Sequence, residues 1–441
     1  MSENVKETLQ NAAIVGAGGA GFPSYMKLAD GADTLLINGA ECEPLLQTDF
    51  VLMRDHLDQV AAGAQGVMEF AKIPKCLLCV KKHNVERLGL HDGQEVAKNV
   101  FVKQLPDVYP MGDEINMIYE ATGRVVRPGS LPITAGCIVY NVETLYNVHA
   151  ALTSGAPVTD KWLTIGGEVP ETLVVKVPVG TPVRELFAHY GVTVPDGYAV
   201  VDGGPSMGAI INPQTAVVKK NTKSFLILPP TCQAILSKEG DLRAQMARAS
   251  SACCQCTRCS DMCPRGLLGY PLYPHKMVRS VTTVAEVTPQ MVLAATLCCS
   301  CGICEIAACC QNISPKQMIL QFKSILAKNK LRYTATEDVH PDPAREYRKV
   351  PSSRWMSLLG VAKYDRPQVK TVFDGYEPKQ VQIGLNWHIG APSVLCVQVG
   401  DTVVKGQKIG NAAGGLSLPA YASVSGKVVF ADAAKVVIER N

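Results

Sequence analysis

Apolar positions along the chain change rhythm several times, and each change predicts a change of element. Ala12-Ala13-Ile14-Val15, Thr34-Leu35-Leu36-Ile37 and Cys76 to Val80 are short apolar runs, the pattern of strands buried on both faces. Between them, Val60 to Met68 is Ala-rich and amphipathic, which predicts a helix packed on that sheet. Trp162 to Pro170, Val174 to Val179 and Val200 to Asp202 predict further strands, with a helix from Pro182 to Tyr190. Together these read as a small β-grasp. Between Arg258 and Cys298 the spacing of Met277, Val281, Val284, Val287, Met291 and Leu293 is helical. Residues 337–379 are rich in Pro, Arg and Asp with little periodicity and predict a linker or extended strap. From Gly390 strand alternation sharpens into two quasi-repeated half-motifs with glycine turns, a barrel-sandwich hybrid. Its central stretch, Ala412 to Pro419, has no lysine, so structural or docking use is expected rather than a biotin or lipoyl arm. Cys396 reads as a strand core residue.

The length of 441 residues fits several domains at roughly 100–200 residues each. Lys plus Arg number 43 against 39 Asp plus Glu, giving +4. That balance is too mild to predict nucleic acid or an anionic membrane as partner. The 17 cysteines come with no charged-then-apolar leader, so the expectation is a cytosolic, oxygen-sensitive protein rather than a secreted one. No apolar stretch approaches the roughly 18 residues of a bilayer span, so membrane attachment is expected only through partners.

The cysteines are not scattered. Cys253-x2-Cys256-x2-Cys259-x3-Cys263-Pro264 is followed by Cys298-x2-Cys301-x2-Cys304-x4-Cys309. Three thiolates at this spacing wrap one cubane from a tight loop, and the fourth cysteine of each run reaches the other cluster. Two [4Fe–4S] clusters are therefore expected, one on Cys253, Cys256, Cys259 and Cys309, the other on Cys298, Cys301, Cys304 and Cys263. Zinc closes with four ligands in paired CxxC units and has no use for this register. The second run departs from the usual pattern: four residues precede its last cysteine, and Cys310 stands where proline usually follows. Cys310 is thus an alternative to Cys309, while Cys254 and Cys299 read as packing or neighbouring thiols. Cys76 and Cys79 lie inside a predicted strand, so buried core thiols are expected there, not a redox pair.

After Ala12 to Val15 comes Gly16-Ala17-Gly18-Gly19-Ala20-Gly21-Phe22-Pro23, and Ser24 to Leu28 reads as a helix start. Strand, glycine loop and helix make phosphate-binding geometry, with Pro23 suited to a first helical turn. An ordinary dinucleotide fold would end its second strand on an acidic residue, but here Asn38 follows Ile37. Three more blocks follow in order: Asn38-Gly39-Ala40-Glu41-Cys42-Glu43-Pro44, Tyr109-Pro110-Met111-Gly112-Asp113-Glu114, and Asn141-Val142-Glu143-Thr144-Leu145. The four blocks resemble the flavin- and NADH-binding subunit of respiratory complex I and the C subunit of the Rnf complex. The resemblance implies that Gly16, Gly18, Gly19, Gly21 and Lys27 hold nucleotide and flavin phosphate. It places Asn38, Glu41 and Glu43 along flavin and nicotinamide, and Tyr109, Gly112, Glu114, Asn141 and Thr144 around FMN. Phe22 offers a ring to stack on adenine or flavin. Taken singly, Lys27 reads as a surface lysine, Asn141 as a turn residue and the two glutamates as loop caps; the four-block order weighs against those readings. Two carboxylates beside the nicotinamide site would favour NADH over NADPH.

The strand-rich middle resembles the soluble-ligand-binding β-grasp module of the same subunits, with the Asp202 to Gly208 turn either a ligand contact or a plain tight turn. The implied architecture is multidomain α/β and α+β: a Rossmann-like FMN/NADH domain (1–155), the β-grasp (156–235), an α-helical two-cluster ferredoxin domain (240–335), a linker or strap (336–380) and the barrel-sandwich hybrid (381–441). The Rnf protein carries its barrel-sandwich module first. The order here resembles the cobalamin reductases of propanediol-utilising bacterial microcompartments. That resemblance implies transfer from NADH through FMN and two clusters, one electron at a time, to cobalamin, with no covalent or acid–base catalytic residue. An Asp-x-His-x-x-Gly corrinoid signature is absent, so cobalamin is expected to bind transiently or to come from a corrinoid adenosyltransferase. Shell or lumen proteins of the microcompartment are the other expected partners, and Val5 to Ala13 reads as a plain first helix more readily than as a targeting segment. The alternatives are an Rnf-like NADH:ferredoxin-type electron-transfer protein and a non-catalytic electron relay.

Overall fold

A computed structural model of the chain describes residues 4–280, 287–335 and 337–440; Val281 and Val284 of the predicted helical spacing lie outside them. The first sheet contains β1 (Thr34–Asn38), β2 (Lys75–Lys81), β3 (Glu95–Ala97), β4 (Val100–Leu105) and, after the short β5 (Val108–Tyr109), β6 (Cys137–Asn141). Its order is β3-β4-β2-β1-β6, with β4, β2, β1 and β6 parallel and β3 antiparallel at the edge. Helices Leu57–Ala71 and Val142–Ser154 belong to the core on one face, and helix Glu114–Thr122 to that on the other. Burial on both faces is why these strands read as unbroken apolar runs. The two helices of the first face pack so closely that a Cβ on Gly63 would fall 2.1 Å from the Leu145 carbonyl oxygen. Cys76 and Cys79 are buried in β2, as expected.

One predicted strand is not formed. Ala12, Ala13, Ile14 and Val15 are buried, but Ala13 turns to φ +53° and only Val15 makes a bridge, to Pro23. The run follows helix Asn4–Asn11 and fills the core without joining the sheet. The expected helix after the glycine loop is a single 3-10 turn, Ser24–Lys27, too short to supply a helix dipole.

The middle of the chain forms β7 (Asp160–Gly167), β8 (Leu173–Pro178), β9 (Ala199–Asp202), β10 (Ala209–Ile211) and β11 (Ser224–Leu228) in the order β10-β9-β11-β7-β8. The central pair β11 and β7 is parallel and its neighbours are antiparallel, the β-grasp arrangement. Helix Val183–His189 packs on it through Val183, Leu186 and Phe187.

Residues 337–379 form a strap with elements of its own. Its β12 (Val350–Pro351) pairs with β5, and β13 (Lys370–Val372) extends the grasp sheet beside β8. Helix Ser352–Leu359 drives Trp355 into the interior, 0% exposed and stacked 4.5 Å from Tyr109. The cysteine-bearing segment is helical, with Leu242–Ala252, Pro274–Arg279, Pro289–Ala294 and Pro315–Lys328 as its main pieces. At the C-terminal end a four-stranded sheet and a three-stranded sheet enclose an apolar core. The central stretch of this sandwich docks on the first domain, where Ser417 O accepts hydrogen bonds from Gln10 and Tyr25. Cys396 is exposed, contrary to its expected core position, because it shares the outward side with exposed Val394 while Val397 turns into the core.

Candidate functional site

Asn38 and Asn141 end β1 and β6 in register with each other. Beyond them opens a cavity of about 340 Å³, at the strand ends where parallel sheets take their ligands. Gly16, Gly18, Phe22 and Lys27 line it from the glycine loop, and Asn38 and Glu43 from the segment after β1. Gly112, Glu114, Asn141 and Thr144 are the other expected residues that line it. The loop is braced by its own bonds: Gly16 N–H donates to Phe22 O at 2.8 Å and Gly21 N–H to Gly16 O at 3.2 Å. Ala17 N–H donates to Thr144 Oγ1 at 3.0 Å. The amides of Gly18, Gly19 and Ala20 meet no protein acceptor among the described residues. Of these residues Gly18 and Ala20 line the cavity, so a phosphate there would meet free backbone amides rather than a helix end. Lys27 adds a cation, its Nζ donating to Val139 O at 2.9 Å; burial lowers its pKa, against the charge of Glu114. Asn38 Nδ2 donates to Gly112 O at 2.9 Å. Gly112 has no room for a side chain, since a Cβ would lie 2.8 Å from Cys42 Sγ.

Glu43 is fixed from two other segments. Its carboxylate accepts Tyr109 OH at 3.1 Å and the Ser206 amide at 2.9 Å. Gly204 is required beside it, because a Cβ there would lie 2.0 Å from Glu43 Oε2. The Asp202 to Gly208 turn thus serves the cavity, through Ser206 on Glu43 and through Met207 in the wall.

Four expected residues stand outside the cavity lining. Gly19 and Gly21 direct their carbonyls to Asn221 and Ile389, fastening the loop to the grasp and sandwich units. Tyr109 lies behind Glu43, stacked on Trp355, with its OH also 2.8 Å from Cys301 O. Glu41 departs furthest from expectation. Its φ of +38° turns the carboxylate to the first turn of helix Thr48–Asp55, where it accepts the amides of Asp49 at 2.7 Å and Phe50 at 3.0 Å. Burial, and after it the charge of Asp49, push its pKa up to about 7.

Beneath Asn141 lies a buried charge network that no sequence motif announces. Asn141 Nδ2 donates to Asp49 at 2.8 Å, and Lys223 Nζ bonds Asp49 at 2.7 Å and Glu143 at 3.2 Å. Lys161 bonds the same Glu143 carboxylate. Burial alone would raise Glu143, but Lys161 and Lys223 hold it below the usual range; burial lowers Lys161 to about 8. The paired charges leave Asn141 one orientation, its Oδ1 capping helix Val142–Ser154.

The cysteines gather around two smaller cavities. Cys253, Cys256, Cys259 and Cys309 line one, and Cys263, Cys298, Cys301 and Cys304 the other. The fourth cysteine of each run is therefore brought to the other run. Burial pushes Cys259 and Cys263 up to about 12 and Cys298 to about 11, so these thiols would give up their protons to a metal and keep them otherwise. Such donor sets fit iron–sulfur clusters. Cys254 and Cys310 are exposed at the edge of the first cavity, their sulfurs 3.9 Å apart. Cys299 and Cys301 line both the second cysteine cavity and the large cavity beyond β1 and β6. Asp113 and Arg265 also line the large cavity and pair at 2.6 Å. No local sequence signal marks that pair, because it joins segments far apart in the chain.

Residues 9–150 match the Nuo51 FMN-binding domain family, 252–314 the 4Fe-4S dicluster domain family and 365–440 the RnfC barrel sandwich hybrid domain family. Fold, cavities and matched domains together define an iron–sulfur flavin electron-transfer reductase, an oxidoreductase. The chain is 35% identical to cobalamin reductase PduS of Citrobacter freundii and 36% identical to that of Salmonella typhimurium, over 97% of this chain and 94% of each relative. It belongs to the cobalamin reductase PduS family. The C subunit of the ion-translocating oxidoreductase complex of Erwinia tasmaniensis is 31% identical over 60% of this chain and 32% of that protein. No helix among the described residues is long and apolar enough to cross a membrane.

Proposed function

We propose that this protein is an NADH-dependent cobalamin reductase carrying one FMN and two [4Fe–4S] clusters. When bound, FMN exchanges electron pairs with single electrons, and the clusters carry single electrons. The observation that carries the reading is the shared wall: Cys299 and Cys301 belong at once to the large cavity and to a four-cysteine cavity. The free amides of the glycine loop and Lys27 would hold the FMN phosphate, and Asn38, Glu114, Asn141 and Thr144 the rest of the flavin. Cys263, Cys298, Cys301 and Cys304 would hold the near cluster. Cys253, Cys256, Cys259 and Cys309 would hold the far one, where exposed Cys254, Cys256 and Cys310 mark the exit toward a corrinoid, free or presented by an adenosyltransferase in a microcompartment lumen. With Glu41 turned inward, Glu43 is the carboxylate left to accept ribose hydroxyls and repel a 2′-phosphate.

Anaerobic iron, sulfide and flavin analysis tests the cofactors, with about eight irons and one FMN expected per chain. NADH should then reduce cobalamin, with kcat/KM for NADPH at least about tenfold lower, the equivalent of about 1.4 kcal/mol. Colourless or zinc-bearing protein overturns the reading, and equal rates with the two donors remove the role given to Glu43.

A further inference from the structure

Arg265 stands two residues after Cys263 and lines both the large cavity and the cavity of Cys263, Cys298, Cys301 and Cys304. Its side chain is 13% exposed. One terminal nitrogen donates to Asp113 Oδ1 at 2.6 Å. The other oxygen of Asp113 is taken by Asn116, whose side-chain amide donates at 2.7 Å, so the carboxylate has little left to offer. Arg265 Cζ also lies 5.6 Å from the Tyr270 ring. Its Nε is buried without a hydrogen-bond partner. Proteins seldom bury an unpaired N–H, and this one sits on a charge that does not titrate away. A guanidinium between two cavities, with a donor unused, has the chemistry to receive negative charge arriving on either side.

We infer that Arg265 is a positioning residue that sets the reduction potential of the near cluster, its fixed positive charge favouring the form with one more electron. The inference rests on the proposed flavin and cluster assignment. Reducing a [4Fe–4S] centre adds one electron and so one negative charge, and net charge around a cluster is one of the factors that fix its potential. Asp113 opposes the effect by neutralising part of that cation. The far cavity is lined by an arginine of its own, Arg279, which the Arg265 variants leave in place.

The test is an anaerobic dithionite titration of the full-length, cluster-loaded protein, followed by electron paramagnetic resonance, with a Cys256→Ser background assigning the far signal. Arg265→Gln should make the near cluster about tenfold harder to reduce, a shift of about 59 mV for a one-electron couple. The far cluster should stay in place. Arg265→Lys, which keeps the charge and loses Nε, should remain close to the parent. Asp113→Asn should move the near cluster the opposite way, and this variant alone decides the matter if Arg265→Gln fails to load iron. A near cluster unmoved in Arg265→Gln, an equal drop in Arg265→Lys, or no upward shift in Asp113→Asn overturns the inference while leaving the cofactor assignment intact. Absence of cluster signals in the parent overturns both.

Discussion

The region around the flavin cavity and the cysteine-bearing helices are built on opposite terms. The first is organised by protein alone. Its sheet is covered on both faces, Asn141 is oriented by buried charge pairs, and Glu43 is fixed by Tyr109 and Ser206. The second has two small apolar clusters of its own, one around Met277, Met291 and Ile319, the other around Ala249, Val278 and Met318, and otherwise leans on the cores of its neighbours through Leu268, Leu297 and Ile303. Its two inner cavities are lined by cysteines. One region has its polar groups fixed in place before any ligand arrives; the other is expected to draw folding energy from bound metal, as small metal domains do.

Removing iron should therefore separate the two regions, and this is the largest effect expected. After anaerobic chelation, amides in 242–280 and 287–328 should lose at least about 100-fold of hydrogen-exchange protection, about 3 kcal/mol of local stability, while those of β1, β2, β4 and β6 keep theirs. Undiminished protection in those two segments would show that the helices hold themselves together and would erase the contrast.

The strap also packs against both regions, so breaking it should disturb both. Trp355 stacks on Tyr109 and donates from Nε1 to Ser206 Oγ at 3.0 Å. Tyr109 in turn reaches Glu43 and Cys301. Trp355→Ala should cost about 3–5 kcal/mol in urea unfolding, the range for truncating a fully buried aromatic. FMN affinity, measured by fluorescence, should fall with it. A large stability loss with unchanged FMN affinity would make the strap a brace only.

Legibility in the sequence followed the reach of the interactions. The cysteine register and the four cavity blocks were readable because each is a local string whose spacing is itself the constraint. Arg265 with Asp113 and Lys223 with Asp49 were not, because nothing local to either member marks its distant partner. Trp355 was hidden in a segment too short in its elements to show periodicity. Ala12 to Val15 looked like a strand because burial alone makes an apolar run, whatever the backbone does. Glu41 and Glu43 were indistinguishable as letters two positions apart. A positive φ at Glu41 sends one carboxylate to a helix end, and the other stays at the cavity.

That division sharpens the account of the flavin region, where the Glu41 carboxylate is held by backbone amides and not by an ion pair. Its carboxyl is pushed up to about 7 from an ordinary 4.5, by burial first and then by Asp49, against its two amide donors and Lys223. The folded chain therefore keeps a proton there that the unfolded chain releases. The contribution to stability is complete below about pH 4.5 and is lost as pH rises through about 7, at most about 3 kcal/mol by linkage. Between pH 5 and pH 8 about 2–3 kcal/mol of this is lost. Glu41→Gln keeps a carbonyl for one amide and cannot ionise. Urea unfolding at pH 5 and pH 8 should show the variant gaining on the parent by that amount at the higher pH, with little difference at the lower. If the variant is weaker by the same margin at both, Glu41 is an ionised cap throughout.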